Sequence, residues 1–152
     1  MIIKDTLTSI DDIREFDKHF LVEHFQPGLV SKQRGTINEK RIQNHESQLR
    51  LFAYYNHELI GILMARPNHF IHQQLAPFNR YLSDLFVRPD RQKHPDFRVG
   101  TQLISELYRR VSGCSILVQA VNHSGGFYKK QGFEYINTLE DAIFYGKKIK
   151  EI

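Results

Sequence analysis

From Val99 onward the apolar residues return at Val99, Leu103, Leu107 and Val111, with Ile104 and Tyr108 beside them. That spacing lays one apolar stripe along a helix and predicts a helix over about 99–111. A first helix is predicted after Ser9-Ile-Asp-Asp12, which has the form of a capping box and places Asp11 and Asp12 at the positive end of the dipole. Its core face is Ile13, Phe16, Phe20 and Leu21, and Pro27-Gly28 ends it. Alternating or continuous apolar runs predict strands over 2–6, 49–55, 58–65, 81–87, 115–121, 134–137 and 142–149. Asn56-His57 joins the second and third of these as a hairpin turn, because Asn readily takes turn conformations. The polar stretch 31–48 holds a weaker helix around 38–44, and 68–79 reads as a polar loop. Near the C-terminus, Phe127-Tyr128-Lys129-Lys130-Gln131-Gly132-Phe133 reads as a short helix stopped by glycine, which reaches φ > 0 without a Cβ clash.

The resulting order, β-α-α-β-β-β-α-β-α-β-β, predicts a mixed α/β fold around one central sheet, neither a doubly wound nucleotide fold nor a barrel. With 152 residues and no repeat, linker or low-complexity tract, 1–152 reads as a single domain. Hydrophobic content of 41% and charged content of 25% are ordinary globular values. A net charge of +4 is dispersed, with small clusters at Arg109-Arg110, Lys129-Lys130 and Lys147-Lys148-Lys150. It does not decide between a nucleic acid, which is not expected as a partner, and an anionic nucleotide cofactor. Cys114 is the single cysteine, so no intrachain disulfide forms; its place at the start of an apolar strand gives it a structural role. The first residues carry no secretory pattern and no apolar run approaches the length of a membrane span, so a cytoplasmic, membrane-free protein is expected.

Most of the familiar chemistries find no support. His19 and His24 are spaced too far apart to share a helix face as metal ligands, and no HExxH accompanies them. No metal site is expected. The glycine-rich phosphate loop of NTPases and the serine-hydrolase elbow are both missing. What remains is the passage from the apolar strand Tyr81-Leu-Ser-Asp-Leu-Phe-Val87 through Arg88-Pro89-Asp90 to a helix that begins near Arg98-Val99-Gly100-Thr101. A strand, a polar loop and a helix N-terminus with small residues offer free N–H groups and the positive end of a dipole to an anion such as a phosphate.

On those two segments, 85–104 and 122–133, the chain resembles the GNAT superfamily of N-acetyltransferases. The resemblance follows the element order of essentially the whole chain. It implies a central, mostly antiparallel sheet splayed between strands four and five, acetyl-CoA as acetyl donor, and direct transfer to a primary amine in a ternary complex. It assigns cofactor binding to Leu85, Phe86, Val87, Arg98, Val99, Gly100, Thr101, Asn122 and Phe127. Tyr128 falls where the family places a general acid; the alternative is a wall of the cofactor tunnel. The family's phosphate loop usually carries two glycines. Here only Gly100 remains and Arg98 replaces the other, where its guanidinium can contact a phosphate. Asn122 stands one residue closer to Tyr128 than usual.

The catalytic base stays open. In members resembling polyamine acetyltransferases a glutamate stands where this chain has Ser83, and the neighbouring acid matches Asp84. Alternation along a strand would turn Asp84 away from Ser83. Asp84 as a structural acid, Asp84 or Ser83 as participants, and a water relay are all retained. The acceptor is not specified, a homodimer is left open, and the alternative function is a non-catalytic CoA-binding or interaction module.

Overall fold

A computed structural model describes residues 1–23, 49–92, 98–121 and 123–149, without the side chains of 20–23. Along it run β1 (Ile2–Lys4), α1 (Asp11–Glu23), β2 (Leu49–Tyr55), β3 (Glu58–Pro67), β4 (Arg80–Val87), a 3-10 turn (Pro89–Arg91), α2 (Val99–Arg110), β5 (Ser115–Ala120), α3 (Gly125–Lys130), β6 (Glu134–Leu139) and β7 (Ala142–Lys148). The helix expected at 38–44 and the Pro27-Gly28 stop lie outside the described residues. The strand and helix boundaries expected elsewhere fall within two residues of these.

The seven strands form one sheet in the order β1-β2-β3-β4-β5-β7-β6. Every neighbouring pair is antiparallel except β4 and β5, which run parallel. The two hairpin turns, Asn56-His57 and Glu140-Asp141, take positive φ at both residues, the mirror-image turn whose twist matches paired strands.

The sheet is covered on both faces. On one face α2 buries Val99, Leu103, Ile104 and Leu107 against Leu51, Leu63, Ala65 and Leu82. Burial of each such side chain contributes about 1.5–3 kcal/mol. Gly61 sets how closely α2 approaches: a Cβ there would lie 2.8 Å from Val99 Cγ1 and 2.9 Å from Leu103 Cδ1. On the other face α1 packs Ile13 and Phe16 against Phe52, Ile62 and Met64. The capping box at its start is reciprocal, with Ser9 N–H donating to Asp12 Oδ2 and Asp11 N–H to Ser9 Oγ. Beyond α1, on the β5–β7 half, Leu75, Leu117 and Phe144 bury one another beneath Phe70 and Tyr81.

Candidate active site

The strand β4 carries an irregularity that fixes the site. Leu82 and Leu85 would fall on opposite faces under strict alternation, yet both pack on the α2 side. A bulge reconciles them. Asp84 pairs with Met64 and Leu82 with Ala65, leaving Ser83 as the extra residue. Asp84 therefore shares the α1 face with Met64 and Phe86. The expectation that alternation separates Ser83 from Asp84 is corrected here, because the bulge interrupts the alternation. The Ser83 hydroxyl lies 2.8 Å from Asp84 Oδ2 and 3.2 Å from the Met64 carbonyl, and can donate to either. Asp84 is 4% exposed.

The parallel ladder between β4 and β5 covers only Arg80–Leu82 against Ile116–Val118. Past Leu82 the two strands part, so the β5-facing backbone groups of Ser83 onward are not used by that ladder. At the far end of β4, Arg88 turns inward. It is 5% exposed and forms a two-point pair with Asp90, at 3.1 Å and 2.7 Å, with Glu58 at 3.5 Å. The hydrogen bond from Arg88 holds the Asp90 carboxyl below its ordinary range. Its charge is thus committed to bracing the turn out of β4.

At the start of α2, Arg98 sits at φ 42°, ψ 59°. This left-handed conformation costs a residue with a Cβ about 1–2 kcal/mol and a glycine almost nothing. The first bond into the helix runs from Gln102 N–H to Arg98 O, so the N–H groups of Val99, Gly100 and Thr101 point out of the helix end. Gly100 keeps that end open, since a Cβ would meet Phe127 Cζ at 3.3 Å and Val87 Cγ2 at 3.8 Å.

Across the gap, α3 ends in a Schellman motif. Phe133 N–H donates to Tyr128 O and Gly132 N–H to Lys129 O, each at 3.0 Å, with Gly132 at φ 91°. The hydrophobic contact that accompanies this motif is the packing of Phe133 on Tyr128, with ring centroids 5.6 Å apart. Phe127 holds the other side of the Tyr128 ring at 5.2 Å. The phenol has no hydrogen-bond partner among the described residues. Burial, with a smaller contribution from Tyr81, pushes its pKa up to about 12, so it stays protonated at neutral pH.

One cavity of about 440 Å³ joins these parts, and of the residues expected from sequence it gathers Leu85, Val87, Arg98, Gly100, Thr101, Phe127 and Tyr128. The others stand apart. The Val99 side chain is buried in the core, Phe86 faces α1, and Ser83 and Asp84 occupy the bulge. Asn122 lies outside the described residues. The cavity also takes in Gln92, Val121 and Ser124, which sequence reasoning missed. The buried Ser124 Oγ has no hydrogen-bond partner among the described residues, an orphaned hydroxyl that a polar ligand would satisfy. Its sequence signal was a serine directly before Gly125-Gly126, where an N-cap belongs. A second missed residue is Gln131. Its amide donates to Thr101 Oγ1 at 3.1 Å, and its carbonyl accepts from Tyr108 and Lys147, tying the end of α3 to the start of α2.

A sheet that splits between two parallel strands, with a helix end and a buried phenol facing the gap, defines an acyltransferase architecture. The chain belongs to the GNAT acetyltransferases: the family model for an acetyltransferase (GNAT) domain matches residues 17–142. No curated protein sequence matches it. Among solved structures it is similar to an aminoglycoside 6'-N-acetyltransferase complexed with coenzyme A, at 17% identity, TM-score 0.73 and coverage of 100% of this chain and 99% of that one. It is also similar to the aminoglycoside 6'-N-acetyltransferase from Enterococcus faecium, at 17% identity, TM-score 0.70 and the same coverage. A third is the PaiA N-acetyltransferase from Thermoplasma acidophilum in complex with coenzyme A, at 20% identity, TM-score 0.64, covering 97% and 99%. Among the described residues no helix is long and apolar enough to cross a membrane.

Proposed function

We propose that this acyltransferase moves the acetyl group of acetyl-CoA to a primary amine by direct attack within a ternary complex. The observation that carries the reading is the continuous cavity running from the α2 N-terminus along parted β4 to the Tyr128 phenol. Solved relatives hold coenzyme A, and the orphaned Ser124 hydroxyl suits a ligand rich in polar groups. The pyrophosphate meets the N–H groups of Val99, Gly100 and Thr101 and the Arg98 guanidinium. The pantetheine arm lies along the β5-facing edge of Leu85 to Val87, whose backbone groups hold the thioester.

The incoming amine must first be neutral. Deprotonating an alkylammonium of pKa ~10.4 at neutral pH costs roughly 4–5 kcal/mol. Asp84 takes that proton through Ser83 and solvent, the hydroxyl being hydrogen-bonded to the carboxylate on one side and free to reorient on the other. The amine nitrogen then bonds to the carbonyl carbon, the C–S bond breaks, Tyr128 gives its proton to the departing thiolate, and the proton shed by the new amide nitrogen returns through solvent to the tyrosinate. Burial keeps the phenol protonated at neutral pH, so its proton is present when the thiolate forms.

The acceptor classes in play are aminoglycosides, which similar solved enzymes are named for, and other small amines, peptide N-termini or lysines. A panel of such amines with free-thiol detection, run beside calorimetry against acetyl-CoA, tests the reading. Thiol release with an amine is the expected outcome. Acetyl-CoA binding with no release across the panel would overturn catalysis and leave a CoA-binding module.

A further inference from the structure

On the sheet face opposite α2, one step before the β4–β5 ladder ends, stands a cation with no hydrogen bond or ion pair among the described residues. Arg66 of β3 pairs with Tyr81 of β4, and its guanidinium lies over the Tyr81 ring, 5.1 Å from the centroid. Tyr81 in turn opposes Leu117, one step before the last pair of the β4–β5 ladder. Phe70 stacks edge-on against the same ring at 5.0 Å and fixes it in place. Among the described residues no hydrogen bond or ion pair engages the Arg66 guanidinium, and its Nε is buried without a partner. An arginine seated over an aromatic ring keeps hydrogen-bond donors available for a planar anion. A buried guanidinium donor with no acceptor is costly unless a ligand supplies one.

The location gives that unpaired donor a meaning. Tyr81 stands two residues before the Ser83 bulge on β4, near the end of the β4–β5 ladder, and packs on the sheet face opposite the core that buries Tyr128. The cavity is lined by Leu85, Val87, Phe127 and Tyr128 of the α2-side core, which leaves the opposite face, where Tyr81 stands, for the acceptor.

Resting on the acetyltransferase reading, we infer that the acceptor is an amine that also carries a carboxylate, such as an ω-amino acid or a short peptide, and that Arg66 on its Tyr81 platform receives that carboxylate. A strand pair places Arg66 and Ser83 within about two residues' rise of each other, roughly 7 Å. A carboxylate on Arg66 therefore leaves an amine separated from it by several bonds near the thioester.

The test uses ω-amino acids and dipeptides, each beside its C-terminal amide, as acceptors for the acetyl-CoA-saturated enzyme. The wild-type protein should favour the free acid by roughly 10- to 100-fold in kcat/KM, carried mainly by KM, the range for a charged hydrogen bond. Arg66→Gln should erase that preference while leaving acetyl-CoA affinity unchanged, and Arg66→Lys should restore part of it. Equal use of acid and amide by the wild-type enzyme, or an acid preference that survives in Arg66→Gln, overturns the inference. Calorimetric titration of the same acid and amide pairs separates the two claims. Acid-selective binding without thiol release supports the anion site and counts against the catalytic reading. Thiol release without acid selectivity supports catalysis and sinks the site.

Discussion

Replacing Tyr128 by Phe removes one oxygen atom and leaves the rest of the local packing in place. The ring is held from two sides, by Phe127 at 5.2 Å and by Phe133 at 5.6 Å, and neither contact involves the hydroxyl. With no hydrogen-bond partner for the phenol among the described residues, its removal orphans no described donor or acceptor. The stability cost should therefore stay within about 0.5 kcal/mol, the range for a change that touches none of the usual destabilising mechanisms. Loss of a general acid is far larger, about 10²–10⁴ in rate, equivalent to roughly 2.7–5.4 kcal/mol of barrier. Single-turnover thiol release should accordingly slow by that factor, with the acetyl-CoA dissociation constant and Tm almost unmoved. The pH dependence supplies a second readout. Because the folded pKa is raised to about 12, the stability that Tyr128 contributes is complete below about pH 10. It is lost as pH rises toward 12, where the unfolded chain has ionised its tyrosine and the folded chain has not. Tyr128→Phe should flatten that segment of the stability curve. Full turnover by the variant would refute the acid role and make Tyr128 a wall of the tunnel. A large fall in Tm would show that the slowed rate reports folding.

Three further outcomes are expected. Gly100→Val should weaken acetyl-CoA binding at least tenfold by calorimetry, because the Cβ already meets Phe127 at 3.3 Å and the added methyls must displace that ring or fill the cavity. Arg98→Gly should raise stability by about 1 kcal/mol through relief of the left-handed backbone, yet bind acetyl-CoA about 1.5–3 kcal/mol more weakly and acetyl-pantetheine almost normally; equal losses with both donors would assign Arg98 to packing. Gly132→Ala should cost about 1–2 kcal/mol in chemical denaturation, since φ 91° disfavours a Cβ that would also press on Lys147, and should lower turnover by loosening the motif that aims Tyr128.

What could be read directly from the chain was whatever depends on local spacing. The stripe Val99, Leu103, Leu107 specified α2, because a helix repeats its face every turn whatever lies opposite. Phe-Tyr-x-x-x-Gly-Phe specified the end of α3 together with the ring contact that locks Tyr128, because a Schellman motif is closed by residues within one turn of each other. The lining of the cavity was legible for the same reason: its parts are a helix end, a glycine and a tyrosine one turn before a helix stop. The tertiary structure decided what depends on a neighbouring strand or helix. Ser83 became the bulged residue only because Met64 and Ala65 of β3 fix the register on either side of it, and that placed its hydroxyl on Asp84 against the expected alternation. The gap beside β4 exists because β5 pairs with β4 over three residues only, while its ladder with β7 runs on to Ala120. Gln131 and Thr101, and Arg66 and Tyr81, are far apart in sequence and carry no spacing signal; only the packing of α2 on α3 and of β3 on β4 brings each pair together. Long-range pairing has no local code, so the residues it joins stay silent until the sheet is assembled.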